Sequence, residues 1–319
     1  MKKGMIVCWF GEFPNYFQLW LDSCGWNPSW DFFIFTDNKY SQDIYKTADN
    51  ICFIEISFDK FKKFVQSKFD FKISLNCPYK WCDYRPAVGY VFQEYLGVYD
   101  YFGFCDIDVI WGELSRFYPD KLIEKYEKFL VHGHMQLYKN NEKLRTLFMD
   151  RISSKVSYRN VFSSKYNYGF DELGRISINE IVKRKGGGGV KQYQDDSVVG
   201  DIYPYGNRFL WIKREADPRL SELVPIDYIK ISGPKVSLFT NNEERECSYI
   251  HLQKRKMSLD ICGNGEYYIR HNLISDDINK IRRVRPEHIV CKESGYKIIS
   301  GRVRRAADLI RYSFSLHLV

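Results

Sequence analysis

Residues 5–10 (M-I-V-C-W-F) form an unbroken apolar run closed by Gly11-Glu12-Phe13-Pro14. Such a run predicts a strand buried on both faces, as in a parallel sheet. Residues 16–23 have helical spacing. Residues 31–35 (D-F-F-I-F) predict a second buried strand, ended by Thr36-Asp37-Asn38, and residues 51–56 a third. This β-α-β-β opening, with polar residues at the strand ends, predicts an α/β sheet that presents ligands at the carboxyl ends of its strands. Residues 59–71 alternate Lys and Phe at helical spacing, and 79–96 predict a longer helical stretch. Residues 101–105 predict a strand running straight into Asp106-Ile107-Asp108-Val109-Ile110. Residues 114–130 and 141–151 read mostly as helix, on either side of a short strand at 132–138. A helix over 173–185 is stopped by four glycines at 186–189, and 248–252 predict a strand. The glycine run is a turn rather than a phosphate loop, because no Lys-Ser/Thr pair follows it. Residues 302–314 predict an amphipathic helix, with Val303, Ala306, Ala307, Ile310 and Phe314 on one side and four arginines flanking the other.

Composition changes this picture at one end of the chain. The 319 residues are 45% hydrophobic and 28% charged, enough apolar material for a sizeable core and incompatible with global disorder. No apolar run reaches the ~18–20 residues of a membrane span. The run behind Met1-Lys2-Lys3 is too short for a signal peptide and reads as the first strand. Formal net charge is +8, and residues 250–319 carry 14 Lys/Arg against 7 Asp/Glu. The basic excess therefore belongs to the last 70 residues, and any attraction to an anionic partner belongs there too. No helix-turn-helix, zinc-finger or RNP-like pattern accompanies it, which argues against nucleic acid as the partner. The nine cysteines include one close pair, Cys77 and Cys82, with no second pair behind it. That spacing suits neither zinc nor a disulfide framework and fits free thiols in a reducing cytoplasm. The expected organisation is a catalytic domain over 1–256 and a basic helical extension over 257–319. The terminal helix fits either the core or an anionic leaflet beside a lipid-linked acceptor.

The strongest chemical signal is Asp106-Ile107-Asp108. In an extended segment both carboxylates point one way and Ile107 the other. Two close carboxylates stay ionised only with a cation beside them, and oxygen ligands suit Mg²⁺ or Mn²⁺ completed by phosphate and water. His251 is a candidate third ligand. The basic Lys254-Arg255-Lys256 beside it suits a diphosphate.

The segment 79–112, Y-K-W-C-D-Y-R-P-A-V-G-Y-V-F-Q-E-Y-L-G-V-Y-D-Y-F-G-F-C-D-I-D-V-I-W-G, resembles a bacterial capsule and O-antigen glycosyltransferase family of the GT-A fold. H-G-H-M-Q-L-Y-K-N, G-F-D-E-L-G and S-Y-I-H-L-Q-K-R-K also resemble that family. The resemblance spans about residues 5–256 and is most specific at 79–112. It implies a GT-A-like, Rossmann-like domain with a mixed central sheet. Asp106 and Asp108 would hold the metal of a nucleotide-diphosphate sugar, UDP by analogy with the family. Thr36 and Asp37 would face the nucleoside, and Asp83 and Arg85 the donor sugar and pyrophosphate. His134 and Asn140 would line the sugar pocket, Trp81 and Trp111 would pack on a sugar face, and Lys254 and Arg255 would steady the diphosphate. The acceptor would be a growing or lipid-linked surface glycan, met at the inner face of the membrane. An inverting reaction requires a base. Asp171-Glu172 resembles the acidic motif that serves in inverting members, with a helix N-cap as its other reading. Asp195-Asp196 is the second pair. Retention would require no base. A nucleotidyltransferase would also use paired Asp and a metal, but would release pyrophosphate.

Overall fold

The structure, a computed structural model, describes residues 1–39, 44–151, 156–172, 174–184, 189–201, 209–213, 222–240, 243–253, 255–263 and 265–284. The apolar runs become β1 (Lys3–Trp9), β2 (Trp30–Thr36) and β3 (Ile51–Glu55), with α1 (Phe17–Gly25) between the first two. The next strands are β4 (Tyr101–Cys105), β5 (Val109–Trp111), β6 (Lys128–Phe129), β7 (Met135–Lys139) and β8 (Gln192–Tyr193). A seven-stranded sheet runs β3-β2-β1-β4-β7-β6-β8. Its first four strands are parallel and β7 is antiparallel to β4. All five residues of β4 are buried, as expected of a strand covered on both faces. The fold is therefore mixed α/β around a mixed sheet, the expected class.

Downstream come β9 (Val199–Gly200), β10 (Leu210–Lys213), β11 (Glu222–Pro225), β12 (Tyr228–Ser232), β13 (Lys235–Phe239), β14 (Glu244–Cys247), β15 (Tyr249–His251), β16 (Ser258–Asp260), β17 (Glu266–Arg270) and β18 (Leu273–Ser275). They build a five-stranded sheet, β11-β10-β9-β15-β5, and a six-stranded one, β14-β13-β12-β17-β18-β16. Of these strands only β15 is among the sequence expectations. The boundary expected at 256 falls inside the six-stranded sheet, because β17 pairs with β12. The start of the expected helical extension is consequently strand, followed by one short helix, Ile278–Arg283. The helix expected at 302–314, Lys254 and Gly186 to Gly188 lie outside the described residues. Among the described residues no helix is long and apolar enough to cross a membrane, and the eight cysteines are unbridged.

Several expected helices are shorter, for local reasons. α2 (Phe58–Gln66) starts where Ser57 accepts the Lys60 N–H and buries Phe61 and Val65 one turn apart, but ends before 71. The stretch 79–96 opens as a 3₁₀ helix, Pro78–Ala87, followed by single turns at Val88–Val91 and Gln93–Leu96. Pro86 lacks an N–H for an α-helical ladder. The 3₁₀ pitch also eclipses i and i+3, which stacks Lys80 on Asp83. Pro119 separates single turns at Leu114–Phe117 and Asp120–Ile123, where one helix was expected. The expected helix over 141–151 is a turn at Glu142–Arg145 with a 3₁₀ turn behind it, the strand at 132–138 starts at Met135, and the helix after Asp171 starts at Ile178.

Candidate active site

Between β4 and β5 the chain leaves the seven-stranded sheet and joins the five-stranded one. Asp106, Ile107 and Asp108 lie in this crossing. The segment bends there rather than continuing extended, because β4 pairs with β1 and β7 while β5 pairs with β15. Ile107 is buried as expected. Both aspartates are fixed through their backbones: Asp106 N–H donates to His134 O (3.1 Å), the Trp20 indole N–H donates to Asp106 O (3.2 Å), and Leu252 N–H donates to Asp108 O (2.6 Å). The antiparallel register of β15 on β5 sets His251 opposite Val109, beside Asp108. Asp106, Asp108 and His251 thus offer ligand atoms within 4.8 Å of one another, with His251 Nε2 3.4 Å from Asp108 Oδ1. Burial pulls the His251 imidazole pKa down, but Asp108 and Asp106 hold it above its ordinary value. Two carboxylates and an imidazole in a largely buried corner suit Mn²⁺ or Mg²⁺, and the His251 Nδ1 is buried with no hydrogen-bond partner among the described residues. The donor set fits the expected metal.

Three imidazoles stack away from this cluster. His251 packs on His134 with ring centroids 4.4 Å apart, and His134 on His132 at 5.0 Å, the planes inclined by 22° and 11°. Gly103 makes the approach possible: a Cβ there would lie 2.2 Å from Gln136 O, so only glycine lets β7 close on β4. His134 is buried, and its Nδ1 shares a hydrogen bond with the Tyr249 hydroxyl (2.8 Å). Burial, then the neighbouring His251, His132 and Arg85, hold its pKa well below the ordinary value, which favours the uncharged ring. At the outer end His132 Nε2 lies 3.0 Å from Asp196 Oδ1.

A second arm leads from Asp106 through Arg85. The guanidinium bonds Asp106 Oδ1, and its Nη1 donates to Asp171 Oδ2 and Gly133 O, both at 3.0 Å. Gly133 N–H in turn donates to Glu172 Oε2 (2.8 Å). Burial pushes Asp171 up to about 8, Arg85 opposes it, and Glu172, Asp106 and Asp83 add to it. A carboxyl raised in the folded state binds its proton more tightly folded than unfolded. Its contribution to stability is therefore complete below about pH 4 and lost as pH rises towards 8. Chemical denaturation in a chelator will show Asp171→Asn removing part of that decline. Parallel pH–stability curves for variant and parent would contradict the assignment.

A family model matches residues 5–278. The chain belongs to DUF6625, a family of unknown function. A search of curated proteins finds no match. Two solved structures of the galactosyltransferase LgtC show a distant likeness. One, in complex with donor and acceptor sugar analogues, is 11% identical, covers 61% of this chain and 74% of its own, and has a TM-score of 0.34. The other, an active-site mutant, is 11% identical, covers 78% and 87%, and has a TM-score of 0.39.

The remaining expected residues of this DUF6625 chain divide into those at the site and those used elsewhere. Thr36 and Asp37 sit at the carboxyl end of β2, where Asp37 accepts the Gly11 N–H (2.8 Å) and the Thr36 hydroxyl accepts from Asn38. Asp83 is not a donor contact: it is fully buried, and its oxygens take Lys80 Nζ (2.6 Å) and the Tyr168 and Phe170 N–H groups (3.0 Å each). Asn140 is also structural, donating to Leu96 O and Tyr99 O. Trp81 lies in the core against Phe61 and Tyr84, and Trp111 in the core against Tyr249, so neither presents a face to sugar. Arg255 pairs with the buried Asp201 at 2.7 Å and lies over the Phe209 ring, which draws it into the five-stranded sheet. Asp195 accepts from the Ser197 N–H and hydroxyl, as the cap of the 3₁₀ turn Asp196–Val198. Sequence reading passed over His132, Tyr249, Trp20 and Tyr16. The Tyr16 hydroxyl is held well above its ordinary pKa by burial and by Asp108 and Asp106 beside it. The H-G-H triplet was the only local signal for His132; the others emerge from chain crossing.

Proposed function

We propose that this chain is a metal-dependent glycosyltransferase, moving a sugar from a nucleotide diphosphate, UDP in the first instance, to a glycan or lipid-linked acceptor. The observation that carries this reading is the Asp106–Asp108–His251 cluster at the carboxyl end of β4, where a parallel sheet presents its ligands. A divalent ion held there would supply electrostatic stabilisation of the departing diphosphate. Arg85, already aimed at Asp106, would add a fixed positive charge on the same side. Thr36 and Asp37, at the end of β2, would meet the nucleoside. Tyr16, buried beside Asp106 and Asp108, would close the wall behind the acidic pair and keep water from it. The basic end of the chain, outside the described residues, would hold the enzyme at the cytoplasmic face of an anionic membrane, near a lipid-linked acceptor.

Thermal-shift measurement with a panel of nucleoside diphosphates and their sugars, with and without Mn²⁺, tests this. We expect stabilisation by one nucleotide that depends on Mn²⁺, about 2.7 kcal/mol at a hundredfold excess over Kd. Stabilisation by none would reject the reading. Release of pyrophosphate in place of a nucleoside diphosphate would favour a nucleotidyltransferase built on the same cluster.

A further inference from the structure

The transferase reading leaves open which group takes the proton from the acceptor hydroxyl. The acidic candidates have other partners. Asp171 is buried against Arg85, Glu172 holds the Gly133 N–H, and Asp195 caps its own turn. The outer end of the imidazole stack has what a base requires. His132 retains 12% exposure and Asp196 24%, so the pair meets solvent, whereas the middle ring, His134, is buried. Asp196 Oδ1 lies 3.0 Å from His132 Nε2 and also accepts from Gln194 Nε2. A carboxylate that takes the Nε2 proton fixes the tautomer and leaves the Nδ1 lone pair available. His132 lies two ring steps, of 5.0 and 4.4 Å, from the candidate metal ligand His251.

We infer that Asp196 and His132 form an oriented pair in which His132 is the general base for the acceptor, with Asp196 as its positioning residue. The inference rests on the transferase reading. In the step, the acceptor O–H proton passes to His132 Nδ1 while the acceptor oxygen bonds to the anomeric carbon. The bond from that carbon to the diphosphate oxygen breaks, and its electron pair leaves with the diphosphate. Attack opposite the leaving group inverts the anomeric configuration. The resulting imidazolium lies between the Asp196 carboxylate and the His134 ring. On the adjoining Gly133, Arg85 holds the O and Glu172 the N–H, and Asp195 adjoins Asp196. His251 and Tyr249 lie beyond the middle ring.

The test uses the full chain with Mn²⁺ and a panel of UDP-sugars, reading UDP release with water as acceptor, UDP binding by thermal shift, and the fresh sugar anomer by NMR. We expect His132→Ala to lower release by at least ~100-fold with UDP binding unchanged, and added imidazole to restore part of it. His132→Gln, which keeps a side-chain amide beside Asp196, should fold and lose the same rate without imidazole rescue. Asp196→Asn should lose rate with binding intact. The released sugar should have the anomeric configuration opposite to the donor. Release by His132→Ala or His132→Gln within threefold of the parent, or a retained configuration, would overturn the assignment while leaving the transferase reading in place. A parent chain that neither binds nor cleaves any UDP-sugar would overturn both.

Discussion

Asp108→Asn will bind Mn²⁺ at least ~100-fold more weakly than the parent chain and lose metal-dependent turnover with it. Altering a group that merely supports a ligand costs 10–100-fold, and Asp108 would supply a ligand oxygen itself. The substitution preserves shape and leaves the Asp108 carbonyl accepting from Leu252 N–H, so the bend between β4 and β5 should persist. His251 supplies an internal check. Asp108 is the principal group holding its imidazole pKa up against burial, so in the metal-free variant the His251 NMR titration should move to lower pH. Unchanged Mn²⁺ affinity by calorimetry would remove the cluster from the mechanism.

Asp83→Ala will cost the fold about 3–5 kcal/mol, the usual penalty for removing one partner of a buried ion pair. Lys80 and Asp83 are exposed by 1% and 0%. Burial already lowers the Lys80 pKa against the pull of Asp83, and its ammonium also donates to Val161 O (3.0 Å) and Tyr166 O (2.5 Å). Without the carboxylate, an ammonium and two backbone N–H groups, those of Tyr168 and Phe170, lose an acceptor together. The midpoint of urea denaturation reads the loss. A shift equivalent to under ~1 kcal/mol would mean that water replaces the carboxylate, which the packing around it does not allow. The segment ending in Asp171 should loosen first, because Asp83 accepts the Tyr168 and Phe170 N–H bonds that help tie it to the 3₁₀ helix.

The parts of this molecule that depend on local pattern were legible in the chain. The opening strands follow from unbroken apolar runs, and Asp106 and Asp108 followed by a late His251 were enough to point to the group that could hold a metal. What escaped was set by partners distant in sequence. Nothing between residues 79 and 87 distinguishes Asp83, a buried anchor, from Arg85, two positions on and at the site. The difference is made by Lys80 below one and Asp106 beside the other. Asn140 and the two tryptophans were misread for the same reason: side chains able to touch sugar are equally able to fill a core or hold a turn. The six-stranded sheet was missed although it left a trace. Tyr228-Ile-Lys-Ile-Ser232 alternates as an antiparallel strand does, and its buried positions are the two isoleucines. His132 drew no notice because its role depends on Asp196, 64 positions away.

The crossing from β4 to β5 has a consequence for how the molecule opens. Asp106 directly follows a strand of one sheet, and His251 ends a strand of the other. Any ligand gripping both must be released before either sheet edge can fray on its own. Amide exchange at Val109–Trp111 and Tyr249–His251 would then slow together with exchange at the end of Tyr101–Cys105 when the site fills, converting two independent openings into one. The same seam that gathers the acids makes occupancy of the site a lock between two halves of the fold.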